Sequence, residues 1–118
     1  MTATDHAVEL VVAAARAASD KLAQQIIAFD VSEQLAITDA FVIASASNDR
    51  QVRAIVDDVE RVVGEAGFGR PLRVEGLDDR HWVLMDYGDV VVHVFLDEIR
   101  RFYEIERLYR DAPIIEWA

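Results

Sequence analysis

The stretch that decides the fold runs from residue 81 to residue 96 and reads HWVLMDYGDVVVHVFL. Two runs rich in β-branched and aromatic residues, 81–85 and 90–96, flank the four-residue turn DYGD at 86–89. Two such runs around a glycine-bearing turn are typical of an antiparallel hairpin. The stretch therefore predicts two paired strands.

Alternate side chains of the first strand share one face of the sheet. Trp82, Leu84 and Asp86 are predicted on one side, with Val83 and Met85 on the other. An aromatic, an aliphatic and a carboxylate in a row are typical of a contact patch, and tryptophan is enriched among residues that dominate binding energy. The same pattern would arise if Trp82 capped the core beneath a helix, and the residues alone leave both interpretations open.

Outward from this hairpin, helix and strand alternate. Apolar residues recur at helical spacing in 5–20 and again after Asn48, which has Gln51 in capping-box position. Helices are predicted over 5–20, from Asn48 to Gly67 and over 97–111, and further strands over 23–31, 37–46 and 72–75. The predicted fold class is α/β, with a small mixed sheet flanked by helices in a single domain over residues 1–118.

The composition bounds the class of protein. A chain of 118 residues that is 53% apolar can build a core without staples, and it has no cysteine for a disulfide or a thiolate metal site. No apolar run reaches the length of a membrane span. Acidic Asp5 and Glu9 at the N-terminus do not fit a signal peptide. We expect a soluble cytoplasmic protein.

The charge points to the kind of partner. Twelve basic residues against 22 acidic ones give a net charge of −10, and Lys21 is the single lysine. Nucleic-acid affinity depends on cations that meet phosphates, so direct binding of nucleic acid is not expected, nor is an anionic membrane. Complementary charge favours a basic partner. An acidic surface that only keeps the protein in solution explains the composition equally well.

Motifs for catalysis or metal binding are absent from the sequence. Asp86 and Asp89 are interpreted as turn-forming residues, because no third oxygen ligand follows at a metal-site spacing. His93, between two valines of a strand, is interpreted as a hydrogen-bonded structural histidine. There is no nucleophile elbow, P-loop or dinucleotide fingerprint. We expect no catalytic residue, no metal and no cofactor.

Several motifs together resemble a known family. The run W-V-L-M-D-Y-G-D-V-V-V-H-V-F from Trp82, followed by R-R-F-Y-E-I-E-R-L-Y from Arg100, is closely similar to the C-terminal half of bacterial ribosomal silencing factors, the RsfS family, also called Iojap or YbeB. Residues 26–31 and 37–50 resemble its first two strands and its helix entry. The combination of W-x-L-x-D, G-D-V-x-V-H-V and R-x-F-Y-x-x-E is far more specific than any one motif. The resemblance covers the chain to about Ala112 and leaves a short tail at 112–118.

The resemblance implies a translation repressor. Members of the family bind the large ribosomal subunit through its fourteenth ribosomal protein and sterically block subunit joining when nutrients run short. The implied fold is similar to that of nucleotidyltransferases. Their signature requires a Gly-Ser pair and a second carboxylate two residues from the first, and ASAS at 44–47 and Asp86 supply neither. A degenerate nucleotidyltransferase-like enzyme is the alternative function.

The resemblance and the charge together define a predicted partner site. Trp82 and Leu84 are expected to pack against the ribosomal protein, Asp86 to pair with a lysine or arginine of it, and Arg100 and Tyr103 to border the patch. The free chain is expected to form a homodimer that hides this face. A dimeric interaction module that acts away from the ribosome is a third hypothesis. The tail is expected either to fold back on the core or to extend a dimer contact.

Overall fold

The computed structural model describes residues 2–118 and contains one five-stranded sheet with helices packed against it. The helices are α1 (Asp5–Asp20), α2 (Asp49–Val63) and α3 (Asp97–Tyr103), and the strands are β1 (Gln24–Asp30), β2 (Ala40–Ala46), β3 (Arg73–Glu75), β4 (Trp82–Asp86) and β5 (Val90–Leu96). A π-helical turn follows α2 at Gly64–Phe68, and a 3₁₀ helix follows α3 at Ile105–Tyr109. The predicted α/β class is confirmed.

The sheet is mixed, as predicted. Its strand order is β1-β2-β5-β4-β3, and every neighbouring pair is antiparallel except β2 and β5, which are parallel. In the hairpin of β4 and β5, Trp82 lies opposite Phe95 and Leu84 lies opposite His93. The hairpin predicted from residues 81–96 is therefore confirmed.

Helices α1 and α2 cover one face of the sheet and form the main core with it. Most alanines of α1 are fully buried, and so are most valines of α2, together with Val83 and Met85 of β4. Valine is not a strong helix former, so burial rather than intrinsic propensity stabilises α2. Since side chains alternate along β4, this packing leaves Trp82 and Leu84 on the opposite face.

Side-chain caps fix where both of these helices begin. Thr4 accepts a hydrogen bond from the backbone N–H of Ala7 at 3.1 Å, and Asn48 accepts one from Gln51 at 2.8 Å. The side chain of Gln51 reaches back and accepts from the N–H of Ser47 at 2.7 Å. The predicted capping box at Asn48 is thus present, with its return bond one residue earlier than usual.

The second face of the sheet carries a smaller core. Aromatic and aliphatic side chains of β1, β2 and β5 are buried there, and the C-terminal segment packs against them through Ile99, Ile105 and Tyr109. The helix predicted over 97–111 is wrong in its length. Glu104 adopts a left-handed backbone conformation with φ of 46°, so α3 ends at Tyr103 and the chain continues as the 3₁₀ helix.

The tail folds back along the outer edge of β1. The N–H of Asp30 donates to the carbonyl of Pro113 at 2.8 Å, and the N–H of Ile115 donates to the carbonyl of Ala28 at 2.9 Å. Trp117 packs against the main core. Of the two expectations for the tail, folding back is the one observed. Among residues 2–118, no helix is long and apolar enough to cross a membrane.

Candidate protein-docking site

Trp82 is the centre of the candidate site. Its indole stacks on Phe95, with ring centroids 4.7 Å apart, and lies 5.2 Å from the ring of Tyr103. The indole Nε1–H donates a hydrogen bond of 3.1 Å to Nδ1 of His93. One part of the ring is thus held by neighbours, and the remainder is exposed to solvent.

His93 is buried, with 4% of its surface exposed. Burial lowers the pKa of its imidazole to about 4, so the ring is neutral near pH 7. A neutral ring can accept the Trp82 bond at Nδ1 only with its proton on Nε2. Nε2 has no hydrogen-bond partner among the described residues. The interpretation of His93 as a structural histidine is confirmed.

Leu84 and Asp86 follow Trp82 along the same face, both half-buried. Asp86 uses its two carboxylate oxygens within the chain. Oδ1 accepts from the N–H of Gly88 at 2.8 Å, and Oδ2 accepts from Nε of Arg73 at 3.2 Å. The turn-forming role of Asp86 is therefore confirmed, and a cation of a partner would share this carboxylate with Arg73.

Tyr103 lies beside Trp82 at the end of α3 and is 55% exposed. Its neighbour Phe102 is exposed as well, and the two rings meet edge to face at 5.0 Å. We call Trp82, Leu84, Asp86 and Tyr103 the Trp82 patch.

Arg100 does not lie on that surface, contrary to the expectation that it borders the patch. It is 6% exposed, and its Nη1 donates to Oγ of Ser45 at 2.7 Å while its Nε donates to Glu106 at 2.8 Å. The guanidinium points inward because Ser45 on β2 and Glu106 in the 3₁₀ helix satisfy it there. Arg100 therefore holds the C-terminal segment against the end of β2.

Two open grooves flank Trp82. One, of about 310 Å³, is lined by Glu75, Gly76, Trp82 and Leu84. The other, of about 280 Å³, is lined by Gly76, Asp79, His81, Trp82, Ile99 and Tyr103. Glu75, Gly76 and Asp79 were not singled out from the sequence, since their β3 strand and following turn gave no motif.

Gly76 is the backbone wall shared by both grooves. It has φ of 91°, and a Cβ on this residue would lie 2.1 Å from the carbonyl oxygen of Trp82. Only glycine fits this conformation and this close approach. A glycine in a polar turn just before an aromatic strand is a sequence signal for the turn itself, but no local pattern indicates its approach to Trp82.

Residues 44–46 of the ASAS segment are buried in β2, and Ser47 is exposed. Ser45 is fully buried and binds Arg100. Within residues 2–118, no group of three or more histidines, aspartates and glutamates is placed to hold a metal ion.

Comparison with known proteins places the chain among small mixed α/β proteins of one family. The model of the family described as "Ribosomal silencing factor during starvation" matches residues 4–118, which includes the segment set apart as a tail. The chain belongs to this ribosomal silencing factor (RsfS) family. It is 40% identical over 108 residues to a ribosomal silencing factor of Halalkalibacterium halodurans, covering 92% of each chain.

Two further relatives extend the comparison. A crystal structure of a protein from Chromobacterium violaceum superimposes with a TM-score of 0.82 at 36% identity, over 86% of this chain and 83% of that one. A mouse protein named "Mitochondrial assembly of ribosomal large subunit protein 1" is 30% identical over 89 residues, covering 74% of this chain and 39% of that protein.

Proposed function

We propose that this chain binds the large ribosomal subunit through the Trp82 patch, contacts its fourteenth ribosomal protein and sterically blocks joining of the small subunit. Translation would thereby be repressed when nutrients are limiting. Membership of the silencing-factor family supports the ribosome as the target. The partly exposed indole of Trp82, on the sheet face opposite α1 and α2, is the observation that carries the choice of site.

The patch has the composition of a binding centre. Trp82 is already held by stacking and one hydrogen bond, so it loses little rotamer entropy when it docks. Most of the free energy gained by burying its apolar surface therefore contributes to affinity. Leu84 and Tyr103 supply adjoining apolar area. A specific interface buries about 800 Å² on each partner. The chain exposes 6690 Å², so one face of the domain can supply that area.

The charge of the chain supports a basic protein as the partner. A net charge of −10 repels bare RNA and favours a surface rich in lysine and arginine. On this proposal Asp86 pairs with a cation of the ribosomal protein in addition to Arg73. Arg100 contributes as a positioning residue, because it fixes the segment that carries Tyr103.

The proposal describes a steric inhibitor in the cytoplasm that needs no catalytic step, no cofactor and no membrane. A homodimer of the free chain would cover the Trp82 patch, since an exposed apolar patch favours association. The dimer would then dissociate before the ribosome is bound. A dimer whose interface leaves Trp82 exposed would contradict this part of the proposal.

The likeness to nucleotidyltransferase folds stays a prediction from the resemblance. It leads to a different test, in which the chain is assayed for nucleotide turnover with Mg²⁺. Turnover that is lost in Asp86→Asn would favour the enzyme over the steric inhibitor.

The deciding experiment is gradient sedimentation of the chain with separated ribosomal subunits. The wild type should migrate with the large subunit alone and lower the yield of joined ribosomes. Trp82→Ala and Tyr103→Ala should each lose this co-migration, and Tyr103→Ala should do so with an intact fold because its ring is mostly exposed. Leu22→Ala serves as the control, since Leu22 is an exposed leucine at the end of α1.

Two results would overturn the proposal. Wild-type chain that stays at the top of the gradient would remove the ribosome as the target. Folded Trp82→Ala and Tyr103→Ala chains that migrate like the wild type would remove the Trp82 patch as the site.

A further inference from the structure

We propose that the two grooves beside Trp82 each receive one basic side chain of the protein partner, and that Glu75 and Asp79 pair with these two cations. The inference rests on the proposed function, because it takes the Trp82 patch as the docking site. It adds two residues and a charge pattern to that site, and it specifies the partner as a segment with two spaced lysines or arginines.

The geometry of the grooves supports two separate slots. Trp82 and Gly76 line both grooves, and the other lining residues of the two grooves differ. Glu75 lines only the first groove and Asp79 only the second. Each of the two grooves that Trp82 borders therefore has one carboxylate of its own.

Both carboxylates are available to a partner. The side chains of Glu75 and Asp79 are 56% and 67% exposed. Glu75 binds Nη1 of Arg73 at 3.0 Å through one oxygen, Oε2. Asp79 accepts from the N–H of His81 at 3.2 Å through Oδ1, and Nδ1 of His81 lies 3.8 Å from its Oδ2. Neither carboxylate is enclosed, so each can accept from a cation.

The local charge stays negative after these internal pairs are counted. Residues 73–86 contain four carboxylates (Glu75, Asp78, Asp79 and Asp86) against two arginines (Arg73 and Arg80). This balance repels phosphate and attracts a cationic side chain.

The apolar residues that line the grooves favour a lysine or arginine side chain over an inorganic cation. Leu84 borders the first groove, and Ile99 and Tyr103 border the second. Lysine and arginine pack their aliphatic stems along apolar surface and keep the charged head outside it. Over Trp82 or Tyr103 such a head also gains a cation–π contact. Each groove thus offers apolar surface for the aliphatic stem of one lysine or arginine, and an aromatic ring and a carboxylate for its charged head.

The test compares charge-neutral variants with matched controls. Glu75→Gln and Asp79→Asn keep the size of each side chain and remove its charge. Glu65→Gln and Asp57→Asn are the controls, because both carboxylates are exposed and each pairs with an arginine of α2. The affinity of each chain for isolated large ribosomal subunits is measured at about 50 and about 200 mM salt, because the screening length shortens by about twofold between these concentrations and exposed ion pairs weaken with it.

Each test variant should bind about three- to fivefold more weakly at low salt, in line with measured exposed ion pairs. The double variant should lose about tenfold and show a smaller salt dependence than the wild type. The controls should stay within about twofold, which reports the effect of net charge alone.

Three outcomes would overturn the inference. Test variants that bind like the controls, while Trp82→Ala abolishes binding, would refute the two slots and leave the proposed function standing. Tighter binding by Glu75→Gln or Asp79→Asn would mean that the grooves face phosphate. Absence of binding by the wild type would refute the slots together with the proposed function.

Discussion

Trp82 and His93 are joined across the hairpin by a hydrogen bond of 3.1 Å, although they are not direct partners in the strand register. Trp82 lies opposite Phe95 and His93 lies opposite Leu84, so the bond runs diagonally between β4 and β5. Because the imidazole accepts at Nδ1, the orientation of the exposed indole depends on the neutral state of a buried histidine. The Trp82 patch and the buried imidazole are therefore linked, because the hydrogen bond requires His93 to be unprotonated at Nδ1.

The first prediction concerns the pH dependence of stability. Burial lowers the pKa of His93 from 6.5 to about 4, so between these values the unfolded chain binds a proton that the folded chain does not. The contribution of His93 is complete above pH 6.5 and declines as the pH falls toward 4. About 2 kcal/mol of unfolding free energy should be lost between about pH 7 and pH 5. Urea unfolding at the two pH values measures it.

Carboxylates also titrate in acid, so this prediction needs a reference variant. His93→Gln cannot gain a proton at this position. Between about pH 7 and pH 5 its unfolding free energy should therefore fall by about 2 kcal/mol less than that of the wild type. Equal slopes for the wild type and His93→Gln would contradict the prediction.

The second prediction concerns Gly76, which lines both grooves. Gly76→Ala would place a Cβ 2.1 Å from the carbonyl oxygen of Trp82, so the turn before β4 must shift. Unfolding free energy should fall by about 3 kcal/mol or more, the range of severe backbone conflicts. Gly67→Ala is the control, since Gly67 has φ of 94° but nothing within 4 Å of its Cβ position. It should cost only about 1 kcal/mol, the strain of positive φ. Thermal unfolding compares them, and similar losses would refute the close approach.

The third prediction concerns the ion pair beneath α3. Arg100 and Glu106 are joined at 2.8 Å with side chains only 7% and 29% exposed. A double-mutant cycle of Arg100→Met and Glu106→Gln should give a coupling energy of about 1–3 kcal/mol. The exposed pair Arg107–Glu104 has the same 2.8 Å separation and should give about 0.5 kcal/mol or less. Equal couplings in denaturant unfolding would show that burial adds nothing to the Arg100 pair.

The fourth prediction concerns the covered sheet edge. Removal of residues 113–118 would free the N–H of Asp30 and the carbonyl of Ala28, which the tail now binds. Uncovered edge strands pair with other chains, so the shortened chain should self-associate. The amide of Asp30 should also exchange with solvent faster. Ile114→Ala keeps these backbone bonds and should behave like the wild type in hydrogen exchange and light scattering. Slow exchange at Asp30 in the shortened chain would contradict the role of the tail.

Much of the fold was predictable because its signals are local. The hairpin of residues 81–96 follows from strand composition around a tight turn, and the start of α2 follows from Asn48 and Gln51. The third helix was predicted too long because its end depends on a distant residue. Arg100 reaches Ser45, which lies 55 positions earlier in the chain, and this contact directs the segment after Tyr103 along the sheet.

The candidate site was predictable in its chemistry and only in part in its geometry. Side-chain alternation along β4 placed Trp82, Leu84 and Asp86 on one face, as the structure has them. Whether Trp82 was buried or exposed stayed open, because exposure depends on where the C-terminal segment crosses that face. The inward turn of Arg100 and the approach of Gly76 to Trp82 also join residues that no local pattern relates.

The sequence by itself determined the α/β class, the hairpin, the acidic charge and the membership of the silencing-factor family, because periodicity, turn residues and motif spacing are properties of short stretches. Tertiary structure alone decided which part of Trp82 remains exposed, that His93 is neutral, and that Glu75 and Asp79 each line a groove beside Trp82. The burial of a side chain and its neighbours from distant parts of the sequence are set only when the strands pair. The local dielectric and those neighbours then fix the pKa and the contacts of each group.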